Sequence, residues 1–152
     1  MGQHGLRRKL YNTTYDLTWN LLSTSTDFTE MLSMDLEAPV NVKSSGYGNN
    51  YQGYFKAPAT ASYRFYMSCD DYCQLYFSNA KMDPSKKALI LNIGGNTAYR
   101  NYFTVDGKRI SAWLNLTKDE YYFIELRHIQ GSGGDHVTVS VEIQDPTLVS
   151  GH

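Results

Sequence analysis

The stretch Tyr51–Ser78, YQGYFKAPATASYRFYMSCDDYCQLYFS, decides the fold of this chain. Aromatic residues are dense over Ser62–Ser68, S-Y-R-F-Y-M-S, and again over Gln74–Phe77, Q-L-Y-F. Such residues favour the pleated, half-buried surface of a β-sheet. The adjacent acids Asp70 and Asp71 separate the two runs. The stretch therefore predicts a strand, a turn, a second strand, a tight loop and a third strand.

The bulk composition limits the class of protein. The chain has 152 residues, a formal net charge of −1 and an aromatic fraction of 14%, with 13 tyrosines. This length suffices for one domain with its own core. A near-neutral charge argues against nucleic-acid binding, because surfaces that bind phosphates are strongly basic. No apolar run approaches the roughly 18 residues of a membrane span, so we expect no direct membrane insertion.

Short extended segments recur along the rest of the chain. Apolar and polar residues alternate over Tyr121–Ile129 and over His136–Ile143, which is typical of strands with one buried face. Further extended segments are predicted at Gly5–Thr18, Leu36–Val42, Tyr51–Phe55, Ala88–Ile93, Thr97–Thr104 and Arg109–Leu116. By composition, Ser44–Asn50 predicts a loop and Asp106-Gly107 a hairpin turn. Asp27 would cap a short helical turn that begins near Phe28.

About nine strands and no long helix predict an all-β fold, an antiparallel and jelly-roll-like β-sandwich in a single domain. We expect residues 6–143 to form the sandwich. Residues 1–5 would be an N-terminal extension and residues 144–152 a C-terminal tail or linker.

Two cysteines, Cys69 and Cys73, flank the acid pair. Along an extended strand this separation spans about 13 Å, whereas a disulfide requires a Cα–Cα distance of roughly 4.4–6.8 Å. If Asp70, Asp71 and Tyr72 form a three-residue hairpin loop, the cysteines oppose each other and can bridge. A bridge would mainly stiffen the loop. The alternative is a pair of small buried thiols.

Two triplets match the acceptor pattern for N-glycosylation, at Asn12 and at Asn115. The first residues carry charges but no apolar segment behind them, so they do not form an intact signal peptide. We therefore expect a domain of a larger extracellular or cell-surface protein, or of a larger assembly.

The acid pair is the candidate site for chemistry. Adjacent carboxylates repel, and a cation lowers the free energy of holding Asp70 and Asp71 on one side of a loop. Calcium is the natural candidate because it takes six to eight oxygen ligands, including backbone carbonyls. The glycine-rich segment that ends at Asp135 suits a second loop, since glycines let carbonyls turn inward. The alternative is two solvated loop acids.

Several motifs occur in an order that resembles a known family. The segments G-Y-F-K-A-P, S-Y-R-F-Y-M-S-C-D-D, Q-L-Y-F-S, R-I-S-A-W-L-N-L, Y-Y-F-I-E-L-R-H and H-V-T-V-S-V-E-I are similar to those of the protective-antigen-type domain, the PA-14 module. The likeness runs from about Leu6 to Ile143 and implies a β-sandwich. The sequence around A-P-A-T-A-S-Y-R-F-Y and G-G-D-H most resembles the modules of fibrocystin-like cell-surface proteins.

The resemblance implies a site. In the fungal adhesins of this family, an Asp-Asp pair joined by a cis peptide grips calcium, and sugar hydroxyls complete the shell. Asp70 and Asp71 match that pair. The second loop corresponds to residues 130–135, which lack the family's Asn. The implied metal ligands are Asp70, Asp71, Gln130, Gly131, Gly133 and Asp135, and the implied sugar contacts are Asp70, Asp71, Ser132 and Gly134.

Three functions remain open at this level. The preferred one is a non-enzymatic extracellular recognition and adhesion module that binds calcium and carbohydrate. The alternative is an interaction module that contacts other protein domains and binds nothing small. A remote third option is a fragment of an enzyme whose catalytic domain is missing here. Glu120 and Glu125 sit on alternating strand positions with no visible cleft, so we do not expect them to be a glycosidase acid pair. His128 and His136 lack the spacing of a metal site, so we expect them to be ordinary strand residues.

Overall fold

The computed structural model describes residues 4–12, 25–38, 40, 45–102 and 109–144. Within these ranges the chain forms ten strands and one short 3₁₀ helix, at Pro84–Lys86. The strands are Leu6–Tyr11 (β1), Phe28–Ser33 (β2), Glu37–Ala38 (β3), Ser45–Lys56 (β4), Ala61–Asp70 (β5), Tyr72–Phe77 (β6), Ala88–Gly94 (β7), Leu114–Leu116 (β8), Tyr121–Ser132 (β9) and His136–Gln144 (β10). No helix of the described part is long and apolar enough to cross a membrane.

The strands pair into two antiparallel sheets. One has six strands in the order β2-β1-β4-β9-β6-β7, and the other has four in the order β3-β10-β5-β8. The predicted all-β sandwich is therefore confirmed. The longest pairings join β4 to β9 and β10 to β5, so these four strands form the centre of the molecule.

Aromatic side chains fill the space between the sheets. Alternate residues of β5, Tyr63, Phe65 and Met67, are almost fully buried. The ring of Phe65 lies 5.6 Å from that of Phe55 and 5.2 Å from that of Phe77. Burying a side chain of this size contributes about 1.5–3 kcal/mol. The aromatic density of the sequence thus becomes the core of the sandwich.

The tight loop between β5 and β6 is not the expected hairpin. β5 ends at Asp70 in the four-stranded sheet, and β6 begins at Tyr72 in the six-stranded sheet. Asp71 is therefore a crossing between the layers. The predicted disulfide is confirmed, because Cys69 and Cys73 are bonded with a Cα–Cα distance of 6.3 Å. Both cysteines are fully buried, so the disulfide ties the two sheets together inside the core.

Two polar segments form strands where the sequence indicates other structure. The predicted loop Ser44–Asn50 lies largely within β4, which pairs with β1 on one side and β9 on the other. The predicted helical turn near Phe28 is the strand β2, and the Phe28 ring lies 5.4 Å from the ring of Tyr11. Neighbouring strands supply hydrogen bonds that outweigh the turn-forming residues of these segments.

Other predicted segments are shorter than expected or lie elsewhere. Residues 97–102 form no strand, and the Tyr102 hydroxyl instead lies 2.8 Å from Oγ1 of Thr138 on the four-stranded sheet. Of Arg109–Leu116, only Leu114–Leu116 is a strand, although Ile110 makes an isolated bridge. The predicted hairpin turn at Asp106-Gly107 lies outside the described residues.

A buried carboxylate stabilises the outward face of the six-stranded sheet. Glu125 of β9 is 1% exposed and accepts hydrogen bonds from Asn50 at 2.8 Å, from Arg127 at 2.8 Å and from Lys87. Burial alone would raise the pKa of Glu125, but the hydrogen bonds from Lys87, Arg127 and Asn50 hold this pKa below its ordinary value. The two cations and the amide therefore compensate the buried charge.

Replacing Glu125 by Gln should lower the free energy of unfolding at pH 7 by about 3 kcal/mol, because Lys87 and Arg127 lose their shared anion. A depressed folded-state pKa adds stability above the ordinary value of 4.5, and this stability is lost as the pH falls through the folded-state pKa. The difference between wild type and Glu125→Gln should therefore shrink as the pH falls below the ordinary pKa of 4.5 and through the lower folded-state pKa. Urea unfolding across this pH range measures it.

The control is Glu30→Gln, which removes the exposed ion pair between Arg7 and Glu30. This change should alter the free energy of unfolding much less than Glu125→Gln does, because solvent screens an exposed ion pair. An equal effect of both substitutions would contradict the role assigned to burial at Glu125.

Candidate functional site

Four strand ends meet at one end of the sandwich. Asp70, the last residue of β5, lies opposite His136, the first residue of β10. Tyr72, the first residue of β6, lies opposite Ile129 near the end of β9. The crossing at Asp71 and the turn between β9 and β10 are therefore neighbours, as the sequence predicts for the two loops.

The acid pair is held against the second segment. The Asp70–Asp71 peptide bond is cis, as the family resemblance implies. Oδ2 of Asp71 accepts a hydrogen bond of 2.8 Å from the backbone N–H of Gly131. Burial, a hydrogen bond with Asp71 and the charges of Asp71 and Asp135 raise the pKa of Asp70 to about 6. The site thus concentrates negative charge that no cationic side chain among these groups compensates.

Two backbone N–H groups and one imidazole donate hydrogen bonds to three successive carbonyl groups, those of Cys69, Asp70 and Asp71. The Cys69 carbonyl accepts from the backbone N–H of Thr97 at 2.7 Å, and the Asp71 carbonyl accepts from that of Gly95 at 3.2 Å. The Asp70 carbonyl accepts from Nε2 of His128 at 2.6 Å. Since these main-chain oxygens all have protein donors, the acid pair presents its carboxylates.

The two histidines near the site are both buried, as ordinary strand residues. Nδ1 of His128 lies 3.1 Å from the side-chain nitrogen of Asn49, and burial lowers the pKa of His128 to about 4. His136 is 5% exposed, and its ring packs edge-on against Tyr99 at 5.6 Å. Burial also lowers the pKa of His136, so both imidazoles are neutral at pH 7.

The second segment is partly strand and partly turn. Gln130, Gly131 and Ser132 are the last residues of β9. The Gln130 side chain is buried, and its Nε2 donates to the carbonyl of Gly134 at 2.7 Å. Gly133 has a φ of +90°, which side chains rarely adopt. A hydrogen bond across the base of the turn therefore shapes its tip, where Ser132 and both glycines are exposed.

Asp135 lies behind the turn. Its side chain is 1% exposed, and its Oδ2 accepts a hydrogen bond from the hydroxyl of Tyr47. Burial, followed by the hydrogen bond and charge of Asp135, raises the pKa of Tyr47 far above its ordinary value. The charge of Asp135 thus acts on Asp70, and the Asp135 carboxylate also accepts the hydrogen bond from Tyr47.

The predicted site residues therefore divide into three groups. Asp70, Asp71 and Gly131 are brought into one contact network. Gln130 and Asp135 lie buried behind it, and the remaining predicted residues, Ser132, Gly133 and Gly134, form the turn tip. Among the described residues, no group of three or more His, Cys, Asp or Glu side chains has the arrangement of a metal centre.

Sequence reasoning missed the residues that support the acid pair. Asn49 and Tyr47 fall in the segment expected to be a loop, and Thr97 in one expected to be a strand. None of them stands near the pair in sequence. The register between β4 and β9 sets Asn49 opposite His128 and Tyr47 opposite Gln130. Thr97 reaches the pair through its hydrogen bonds with Cys69.

A cavity of about 450 Å³ lies next to Tyr99, which forms part of its wall. Its walls are Asp35, Glu37, Val40, Tyr99 and Arg100. Arg100 bonds both carboxylate oxygens of Glu37 at 2.9 Å. Because Tyr99 also contacts His136, this cavity is a near neighbour of the strand that carries the second half of the site.

Both predicted glycosylation acceptors are exposed. The Asn12 side chain donates to Asp27 at 3.1 Å, and the Asn115 side chain accepts from Ser62 at 2.7 Å. Neither contact buries the amide. Glycosylation at Asn12 and Asn115 stays a prediction.

Several solved structures share this fold. An anti-sigma factor domain-containing protein from Clostridium clariflavum is 18% identical, with a TM-score of 0.66 over 94% of this chain and 43% of its own. The A domain of epithelial adhesin 6 from Candida glabrata, solved with Galβ1-3GlcNAc, is 13% identical, with a TM-score of 0.68 over 96% of this chain and 83% of its own. A β-glucosidase from Kluyveromyces marxianus, solved with glucose, is 15% identical, with a TM-score of 0.59 over 94% of this chain and 16% of its own.

These likenesses concern the fold, and they confirm the protective-antigen-type architecture. The nearer likeness to fibrocystin-like modules stays a prediction. The chain spans less than half of the anti-sigma factor protein and a small part of the β-glucosidase. No curated protein sequence matches it significantly. A family model described as the GLEYA domain matches residues 47–145, from β4 through β10. Because this match covers most of the sandwich, the chain belongs to the GLEYA domain family.

Proposed function

We propose that this chain is a non-catalytic, extracellular carbohydrate-recognition module that binds its ligand through calcium held by Asp70 and Asp71. The observation that carries the proposal is the position of two neighbouring carboxylates where the crossing at Asp71 meets the turn between β9 and β10. There, Asp71 accepts a hydrogen bond of 2.8 Å from the backbone N–H of Gly131. Calcium supplies positive charge and open coordination positions for hydroxyl oxygens.

The residues present fit a hard cation. Burial, a hydrogen bond with Asp71 and the charges of Asp71 and Asp135 raise the pKa of Asp70 to about 6, and a divalent ion would offset the repulsion among these acids. Asp135 contributes further negative charge from behind. Carboxylate oxygens are preferred calcium ligands, and backbone carbonyls complete such shells. Asp70 and Asp71 would hold the ion, with Gly131 and Gly133 supplying backbone atoms and Gln130 and Asp135 supporting the turn.

The exposed turn tip is suited to a sugar. Ser132 and Gly134 are both exposed beside the acid pair, so a hydroxyl of the ligand would contact them while it completes the shell around calcium. The epithelial adhesin domain with the same fold was solved with Galβ1-3GlcNAc. That disaccharide is therefore the first probe for this chain, and its class, a β-linked galactoside, is the first class to test.

The acids that a glycosidase would need are engaged elsewhere. Glu125 is buried among Lys87, Arg127 and Asn50, and Glu120 pairs with Lys81 at 3.1 Å. Neither carboxylate lies at the crossing at Asp71. The β-glucosidase with this fold is covered over only 16% of its length, which supports a module that accompanies catalysis rather than performs it.

One observation favours the second candidate, a protein-interaction module. Leu32 is 53% exposed, Met34 73% and Tyr54 48%. Met34 and Tyr54 line a cavity of about 440 Å³ at the side of the sandwich. Exposed apolar side chains around a cavity are typical of docking surfaces. This surface lies at the opposite end of β1 and β4 from the acid pair, so the two functions are separable.

Calcium should raise the thermal midpoint of the wild-type protein, and a chelator should reverse the rise, because the ion binds only the folded state. At 100 times the dissociation constant the gain is about 2.7 kcal/mol. Asp70→Asn and Asp71→Asn should each abolish most of the shift, since each removes one of the two charges. Differential scanning calorimetry with and without calcium measures the effect.

The matched control is Asp119→Asn, which removes an exposed acid paired with Lys56. Asparagine tolerates the positive φ of 64° at this position. This variant should keep the full calcium shift. A wild-type midpoint that calcium leaves unmoved would end the metal part of the proposal.

A glycan array should give a calcium-dependent signal for the wild-type module, beginning with Galβ1-3GlcNAc, and chelator should remove it. Asp71→Asn should lose the signal while Asp119→Asn retains it. If protein that shows the calcium shift gives no signal above background on the array in the presence of calcium, carbohydrate binding is contradicted. The protein-interaction module is then the better hypothesis.

A further inference from the structure

A buried histidine lies directly beneath the acid pair. His128 of β9 has no exposed surface, and its Nε2 donates to the carbonyl oxygen of Asp70 at 2.6 Å. Its Nδ1 lies 3.1 Å from the side-chain nitrogen of Asn49, which can only donate. The ring therefore carries its proton on Nε2, and Asn49 fixes that tautomer.

The ring is also held in place on its other sides. Tyr47 packs edge-on against it at 5.8 Å between ring centroids, and His128 lies opposite Cys73 of the disulfide in the six-stranded sheet. Burial lowers the pKa of His128 to about 4, so the imidazole stays neutral and the hydrogen-bond pattern does not change near pH 7.

The Asp70 carbonyl belongs to the peptide group that joins the two acids. The direction of this group determines how both side chains leave the backbone. A rigid donor beneath it therefore fixes the separation and aim of the two carboxylates before a ligand arrives. In metal sites, removing such an orienting group typically lowers metal affinity by about 10- to 100-fold.

We propose that His128 is a positioning residue for the cation site, acting through its hydrogen bond to the Asp70 carbonyl. This inference rests on the proposed function, because it needs an ion at Asp70 and Asp71. It goes further in assigning part of the ion affinity to an interior residue that touches neither the ion nor the sugar.

A purely structural role gives a different expectation. A buried polar ring must be hydrogen-bonded, and losing such a bond lowers the stability of the fold. If this were all, replacing His128 would lower the unfolding free energy and leave ion affinity unchanged in the folded protein. The separation requires a variant that destabilises the same strand without touching the pair.

Leu126 supplies that control. It is fully buried, lies on the same face of β9 two positions earlier, and belongs to the apolar core. Leu126→Ala should lower the thermal midpoint through the cavity it leaves. It removes no hydrogen bond to Asp70.

The experiment titrates the intact chain with terbium, a luminescent substitute for calcium, at a temperature well below every variant's thermal midpoint. His128→Leu should bind terbium at least about tenfold more weakly than wild type. His128→Gln, whose amide can donate toward the same carbonyl, should recover part of the affinity. Leu126→Ala should bind as wild type does. The luminescence lifetime reports the number of bound waters and should change only where the pair is misaligned.

The outcomes separate this inference from the proposed function. If wild type binds terbium and His128→Leu binds it equally well, the positioning role is overturned and the calcium proposal stands. If wild type binds no terbium, both fall. Should His128→Leu fail to fold, the comparison of Asn49→Ala with Leu126→Ala decides the matter. Wild-type affinity in Asn49→Ala, which no longer fixes the His128 tautomer, would overturn the role.

Discussion

Between β5 and β6 the chain crosses from one sheet to the other in a single residue, Asp71. The residues on both sides of this crossing are held by contacts with the interior. The disulfide between Cys69 and Cys73 joins the two layers. A hydrogen bond from His128 fixes the carbonyl of Asp70, and one from the backbone N–H of Gly95 fixes the carbonyl of Asp71. Because the crossing is so short and so constrained, both carboxylates must emerge at the end of the sandwich, where the turn after β9 meets them.

Two carboxylates of the protein, Glu125 and Asp70, lie in opposite electrostatic environments. Glu125 is compensated by Lys87, Arg127 and Asn50, which hold its pKa low. The pKa of Asp70 is instead raised, since burial and neighbouring acids act on it together. A compensated buried charge serves the fold. An uncompensated pair at a rigid surface point is where a cation is expected to bind.

Membership of the GLEYA family and the shared fold do not by themselves transfer a ligand. The solved relatives with this fold are less than 20% identical and include an adhesin domain, an anti-sigma factor protein and a β-glucosidase. The chemistry has to come from this chain's own residues. Here the acid pair is present, the second segment lacks the Asn that the family resemblance implies, and the hydrogen bond of Gln130 to Gly134 shapes the turn.

Local pattern was sufficient to predict several strands, although β9 is buried on both faces and Val141 and Ile143 of β10 are exposed. The alternation over Tyr121–Ile129 and His136–Ile143, and the aromatic density around Tyr63, specify strands because side chains on a pleated sheet point alternately to the two faces. The likeness to a known family added the acid pair and its partner segment. The sequence also contained the two cysteines, although not the reason that they meet.

Only the tertiary structure decided which strands pair and what lies beneath the acids. Residues 45–50 have the composition of a loop but become a strand because β1 and β9 satisfy both of its edges. That register sets Asn49 against His128, and the end of β5 brings the Asp70 carbonyl within hydrogen-bond distance of the same ring. Such contacts join residues far apart in the chain, and hydrophobic periodicity carries information about a residue's face but none about its partner.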